Sequence, residues 1–255
     1  LHKYTANVDI GKYKKIKQSS GVIMEIPSLF PQTRYGMPTA DQILPNRNYL
    51  IGYSYLFRQP RWSMHIIDGQ AEDVSVDRED CFRPDLRIPE TFRCSLADYR
   101  GSGYDRGHLV PSADRNSSRL ENSETFLMSN MAPQHPDLNR KIWRMLEEEA
   151  RTIALKENVL EVYSISGPVF DITKPFSKIG EDVVVPHEFF KSMLVEDSKG
   201  KIKIYSFIVP NEEIDAKYND FAVSVNYIEF RSGLQLWNRL SGPTIEKLKK
   251  KVQKI

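Results

Sequence analysis

Five runs rich in aromatic and β-branched residues restrict what this chain can fold into: YLIGYSYLF from Tyr49, RWSMHII from Arg61, VLEVYSISG from Val159, FFKSMLVE from Phe189 and KIKIYSFIV from Lys201. Such side chains pack well on a pleated, half-buried surface, so each run reads as a strand. Arg58-Gln59-Pro60 separates the first two and Asp197-Ser198-Lys199-Gly200 the last two, and both pairs read as hairpins. The prediction is an α+β fold with a central, mainly antiparallel sheet flanked by helices.

At 255 residues, 40% hydrophobic and 27% charged, the chain is expected to form one folded unit spanning 1–255. Residues 1–48 carry Pro27, Pro31, Pro38 and Pro45 and read as an irregular N-terminal wrap, in which Lys12, Lys14, Lys15 and Lys17 form a solvated face. Residues 49–230 form the core of the domain. Residues 231–255 remain as a tail or helix; Ile245, Leu248, Val252 and Ile255 fall near helical spacing and leave the intervening lysines on the wet face.

Thirty-six Lys and Arg against thirty-four Asp and Glu leave a net charge of +2, so affinity for a polyanion has to come from a local basic patch. No run of eighteen apolar residues is present, which argues against a membrane-spanning helix. Cys81 and Cys94 are too few for a disulfide scaffold and wrongly spaced for a structural zinc site; they either pair with each other or sit reduced in a core. The chain opens at Leu1 with a polar, basic stretch, which reads as an upstream piece removed or never built, whether signal peptide, targeting sequence or further domain, and the compartment stays open.

Two segments carry the chemistry. A long polar connection, 68–103, leads into YDRGHLVPSADR from Tyr104 to Arg115. After a strand-like FLMSNMAP that stops at Pro133, PDLNRKIWRMLEEEA opens a helix predicted over about 137–157, with Asp137 as its N-cap. His108 is a candidate general base: Gly107 permits close approach of backbone or substrate, and Leu109 and Val110 would fix it on a buried strand edge. On an α-helix Asn139, Trp143, Leu146, Ala150 and Ile153 share one stripe, with Glu147 about 80° round and about 12 Å along from Asn139. A carboxamide on the buried stripe needs a partner, and a hard cation such as Mg²⁺ suits its oxygen, with Glu147 reaching the ion through a bound water.

Taken singly, each residue has a plainer explanation. His108 reads as a satisfied core residue, Asn139 as a helix-start residue bonded to backbone, and Glu147 as one of a solvated Glu147-Glu148-Glu149 run. Taken together they reverse that judgement, because phosphodiester hydrolysis needs a base, a cation and a group to order water.

These residues resemble the DNA/RNA non-specific endonucleases of the ββα-metal-finger superfamily, which include mitochondrial endonuclease G and bacterial sugar-non-specific nucleases. Asp105-Arg106-Gly107-His108 within GSGYDRGHLVPSADR carries the likeness, with TFLMSNMAPQ and the Asn139 to Glu147 spacing, and loosely it extends from about Arg78 to VPNEEI. The resemblance implies a ββα-metal-finger site in which His108 is general base, Asn139 binds the single Mg²⁺ directly, with Mn²⁺ as a substitute, and Glu147 orients metal-bound water. It also implies a catalytic arginine some thirty residues before the histidine, matched by Arg78, with Arg83 as rival. Asp105 supports the water shell or local hydrogen bonds, Arg106 braces the finger, and Arg106, Arg115, Arg119, Arg140 and Arg144 are candidate nucleic-acid contacts. The implied reaction is hydrolysis of DNA and RNA to 5′-phosphate and 3′-hydroxyl ends. A homodimer contact, a protein inhibitor or an upstream regulatory domain would draw on residues outside the motifs. The rival reading is a non-catalytic nucleic-acid- or partner-binding module that keeps the fold.

Overall fold

Alternation along one strand divides the interior in two. In FFKSMLVE, Phe189, Met193 and Val195 point into one apolar cluster while Phe190 and Leu194 point into another, so this strand is covered on both faces. The computed structural model describes residues 30–67 and 76–255; the lysine group at 12–17, Pro27 and residues 68–75 of the polar connection lie outside these.

In chain order the strands are β1 (Gln42–Asn46), β2 (Tyr49–Ser54) and β3 (Gln59–Ile67), then β4 (Asp105–His108) and β5 (Met131–Gln134), then β6 (Val159–Val169), β7 (Lys178–Ile179), β8 (Val183–Val184), β9 (Glu188–Asp197) and β10 (Ile202–Pro210). The helices are α1 (Leu96–Tyr99), α2 (Arg119–Glu124), α3 (Arg144–Ala154), α4 (Val225–Ser232) and α5 (Pro243–Lys250), and a π-helical segment, Leu138–Trp143, runs directly into α3. Six strands form one sheet in the order β1-β2-β3-β6-β9-β10, each neighbour antiparallel. All five predicted strands and both hairpins are present. The β9–β10 turn closes as its residues require: Asp197 Oδ1 accepts from the Lys199 and Lys201 amides, and Gly200 takes a φ of 73°.

On one face Leu138, Ile142, Trp143, Leu146, Ala150 and Ile153 pack against Val162, Phe189, Met193 and Phe207. On the other, Val225, Ile228, Leu236 and Trp237 pack against Trp62, Tyr163, Phe190 and Leu194. Each fully buried aliphatic or aromatic side chain contributes about 1.5–3 kcal/mol, so these layers hold the π/α3 helix firmly against the sheet.

The structure departs from the sequence reading at several boundaries. The region read as an irregular wrap supplies the edge strand β1, because Gln42–Asn46 pairs with β2. The region read as a tail or helix contains α5, and ahead of it Leu234, Leu236 and Trp237 are core residues. Helix α5 stops at Lys250; beyond it Gln253 Nε2 donates to the Ile204 carbonyl and the Ile255 amide to Asn219 Oδ1, which draws the chain out along the sheet. Asp137 is not an N-cap, since its backbone is already helical and its carboxylate accepts from Lys141 instead. The long helix ends at Ala154, and Pro133 lies inside β5, where a two-stranded ribbon tolerates it. Cys81 and Cys94 are both free thiols, and Cys94 is buried. Among the described residues no helix is long and apolar enough to cross a membrane.

Candidate active site

The DRGH segment is strand β4, paired antiparallel with β5 so that Asp105 faces Gln134 and His108 faces Met131. The chain turns directly from β5 into the π/α3 helix, giving a strand–strand–helix finger. The ribbon is close-packed at Gly107: a Cβ there would lie 2.0 Å from Gln134 Oε1, so no other residue fits without displacing that buried side chain. Asn130 locks the finger's base. Its carboxamide accepts from the Val110 amide and donates to the Val110 and Thr125 carbonyls, while its own carbonyl accepts from the Leu109 amide. Trp143 Nε1 donates to the His108 carbonyl at 3.3 Å and ties helix to strand.

The helix does not begin as a regular α-helix. Over Leu138–Trp143 it is wound as a π-helix, so Asn139 is not displaced from Glu147 by the rotation and rise of a uniform α-helix. Asn139 is half-buried, and its Nδ2 donates to Asp105 Oδ2 at 2.9 Å. Arg140 forks onto the same carboxylate at 2.9 and 2.8 Å. Burial alone would raise the Asp105 carboxyl, but Arg140 and Asn139 hold it below the usual carboxylate range.

His108 stands between the Phe82 and Phe126 rings, at 5.7 and 5.0 Å between centroids. Each of those rings carries a guanidinium on its face, Arg106 on Phe82 at 3.9 Å and Arg78 on Phe126 at 4.7 Å. Burial, with Arg78 and Arg106 adding to it, draws the His108 pKa down to about 3. The ring is therefore neutral, and its buried Nε2 has no hydrogen-bond partner among the described residues. Arg78 is fixed by Ser112 Oγ at 3.1 Å and by the weaker 3.4 Å contact to Asp80.

A cavity of ≈ 440 Å³ joins these groups: His108, Asn139, Glu147, Arg78, Arg106 and Arg140 all line it, as do Arg144 and Arg151. Beneath it lies a charged network that the sequence reading missed. Lys191, 1% exposed, lies over the Trp143 ring and donates to Ser166 Oγ at 2.9 Å. Buried Asp114 accepts from His65 Nε2 at 2.9 Å and from Arg151 at 2.7 Å. An ionised carboxylate only accepts, so His65 carries a proton on Nε2, and burial, lowering its pKa to about 4, keeps the ring otherwise uncharged near neutral pH. Burial raises the Glu147 carboxyl, with Lys191 and Arg151 opposing, and the same burial lowers Lys191. Glu147 is thus half-buried among charges rather than part of a solvated acidic run. The signals were available: Lys191 is a charge with apolar or small neighbours on either side in the middle of a strand, and Arg151 stands four residues after Glu147 on the same helix.

The structure gathers His108, Asn139, Glu147, Asp105, Arg78, Arg106, Arg140 and Arg144 around the finger. It does not bring Arg115 there. That side chain is 6% exposed and donates to the carbonyls of Asn48, Ile66 and Asp114, so it braces the fold and has no route to a phosphate. Arg119 is exposed and engaged by Glu79 at 2.6 Å, outside the cavity lining. Arg83 donates to the Cys81 and Ser123 carbonyls and is also absent from the lining, which leaves Arg78 as the arginine beside the histidine.

Among the described residues no group of three or more His, Cys, Asp or Glu side chains is arranged to hold a metal ion. The donors present suit a hydrated hard cation rather than a cage. With Nδ2 committed to Asp105, the Asn139 carbonyl oxygen accepts from no described residue and would be open to a cation, with the Glu147 carboxyl lining the same cavity.

The family model described as DNA/RNA non-specific endonuclease matches residues 27–242. Nuclease C1 of Cunninghamella echinulata var. echinulata is 34% identical over 227 residues, covering 83% of this chain and 89% of that protein. Mitochondrial endonuclease G of Homo sapiens is 33% identical over 213 residues, covering 79% and 71%. The crystal structure of the EndoG/EndoGI complex, which addresses the mechanism of EndoG inhibition, matches with a TM-score of 0.78 at 29% identity, covering 86% of this chain and 95% of that one. With the finger and its neutral histidine in place, these likenesses make the chain an enzyme belonging to the DNA/RNA non-specific endonuclease family.

Proposed function

We propose that this endonuclease hydrolyses phosphodiester bonds of both DNA and RNA with one Mg²⁺, Mn²⁺ substituting, and leaves 5′-phosphate and 3′-hydroxyl ends. The observation that carries this is the neutral, unpartnered imidazole of His108 in the same cavity as Asn139, Glu147 and the arginines. His108 takes the proton from the attacking water, for which an uncharged ring nitrogen is required. Asn139 would hold the cation through its carboxamide oxygen, with Asp105 fixing the orientation of that amide and Glu147 ordering water beside it. When bound, the ion supplies positive charge to the phosphate and to the departing 3′-oxygen. Arg78 and Arg106 clamp the non-bridging oxygens as charge builds. Contacts directed at phosphate carry little sequence information, which accounts for low sequence specificity. The likeness to EndoG, solved with EndoGI, supports a protein inhibitor as a partner of this chain as well.

The test is nicking of supercoiled plasmid and cleavage of single-stranded RNA. Both are expected with Mg²⁺ or Mn²⁺ and lost with chelator. His108→Ala is expected to cut about 10²–10⁴-fold more slowly with an unchanged circular dichroism spectrum. Plasmid left whole by the native protein in every divalent metal would favour the binding module.

A further inference from the structure

The charged network beneath the cavity contains one group that the mechanism does not use. Lys191 stands on β9 two residues after Phe189, so both side chains leave the same face of the sheet, and both meet the Trp143 indole. Phe189 approaches it edge-on at 5.7 Å between centroids, and the Lys191 ammonium lies over its face at 4.9 Å. The third group on that indole is the His108 carbonyl, which accepts from Nε1 at 3.3 Å. A continuous connection therefore runs from a buried lysine, through one indole, to the main chain of the histidine.

A lysine is a costly choice for that position. Lys249, also buried, is paired directly with Glu229 at 2.8 Å, whereas Lys191 makes no ion pair with a described residue and gives one hydrogen bond, to Ser166 Oγ at 2.9 Å. Burial works against its charge, and Glu147 and Asp114 attract it without pairing. An apolar side chain of similar length would fill the space without the desolvation, so packing alone does not account for an ammonium there. Its seat on the ring gives it an effect that an apolar group lacks. A cation on an aromatic face draws on the π electrons, and the indole N–H becomes a stronger donor, because bonds in a polarised chain reinforce one another.

We propose that Lys191 is a positioning residue for the nuclease reaction: its ammonium, seated on the Trp143 indole, strengthens the Nε1–H bond that fixes the His108 main chain and, with it, the imidazole. The inference rests on the reading of His108 as general base. A displacement of about 1 Å at a reacting group can slow a reaction about 10²-fold, so a small loosening of this bond is enough to register in turnover.

The test uses the full chain with ¹⁵N-labelled tryptophan. Trp62 Nε1 donates to the Thr39 carbonyl and Trp237 Nε1 to Ser192 Oγ, so the three indole resonances report three separate bonds, and Trp143→Phe assigns the one of interest. In Lys191→Met the Trp143 indole proton is expected to move upfield while the other two hold their positions. In the same variant kcat for plasmid nicking is expected to fall about 10–100-fold with KM little changed. Lys191→Arg returns a cation to the ring face and is expected to recover most of that loss. In a Trp143→Phe background Lys191→Met should slow turnover by less than about 2-fold further, because the connection is already cut. A Trp143 proton that stays in place, movement of all three protons together, native kcat in Lys191→Met, or a loss that persists undiminished without the indole N–H each overturns the inference and leaves the phosphodiesterase reading intact. Native protein that cuts no nucleic acid overturns both.

Discussion

Asp105 and Asn139, thirty-four residues apart, meet at 2.9 Å, with the Asn139 amide donating to the Asp105 carboxylate. That one bond decides which end of the carboxamide faces the cavity. Arg140 forks onto the same carboxylate and keeps it charged, so the acceptor cannot drift away through protonation near neutral pH. The first residue of DRGH therefore bonds to the helix through both Asn139 and Arg140.

Removing that carboxylate should loosen Asn139 and free Arg140 together. Asp105→Ala is expected to raise the Mg²⁺ concentration for half-maximal cleavage, or lower turnover, by about 10–100-fold, the usual cost of losing the group that orients a metal ligand. Asp105→Asn keeps an acceptor oxygen and should fall between. A metal titration of plasmid nicking reads both, and an unchanged Mg²⁺ curve in Asp105→Ala would show that Asn139 needs no such support.

Arg78 and Arg83 are expected to separate activity from stability. Arg78 lines the His108 cavity, so Arg78→Ala is expected to lower kcat about 10²–10³-fold with little change in melting temperature. Arg83 bonds two main-chain carbonyls, so Arg83→Ala should cost about 1–2 kcal/mol of stability and leave kcat near native. Steady-state kinetics and urea unfolding on both variants check this; equal kcat losses would reassign the phosphate clamp.

Acid should destabilise the fold through its neutral histidines. His65 and His108, held at about 4 and about 3, stay uncharged in the folded chain while the unfolded chain protonates them near 6.5. Unfolding then takes up protons, so stability falls as pH drops from about 6.5 toward 4, with a slope up to about 1.4 kcal/mol per pH unit for each histidine. The raised Glu147 acts in the opposite sense, since the folded chain holds its proton more tightly, so the informative quantity is a difference between proteins. Urea unfolding of native protein and His108→Ala between pH 6.5 and 5 should show a shallower decline in the variant. Parallel declines would mean that His108 is charged in the native state.

Gly107 is required for space rather than for an unusual backbone. A methyl group there meets Gln134 Oε1 at 2.0 Å inside a ribbon that also positions His108. Gly107→Ala is expected to lose about 1–3 kcal/mol of stability and, assayed well below its melting temperature, to show reduced turnover. Native stability in this variant would mean that Gln134 moves aside without cost.

Much of this molecule follows from local sequence. Side-chain alternation and turn residues specify the strands, because facing and chain reversal are decided within a few residues; FFKSMLVE and KIKIYSFIV with Asp197 to Gly200 between them determine β9–β10 as written. The DRGH segment and the Asn139 to Glu147 spacing likewise identify the family before any contact is known. What the tertiary structure alone decided is which polar side chains face one another. Nothing near Lys191 in sequence says that it sits under Trp143, and nothing near Asp114 announces His65 and Arg151. Arg115, eligible for phosphate by type and position, is used up by three main-chain carbonyls. The π-helical winding over Leu138–Trp143 alters where Asn139 stands in a way that a periodicity count cannot foresee. Backbone pattern is a short-range property of the chain; the pairing and desolvation of charges depend on neighbours that only folding brings within reach.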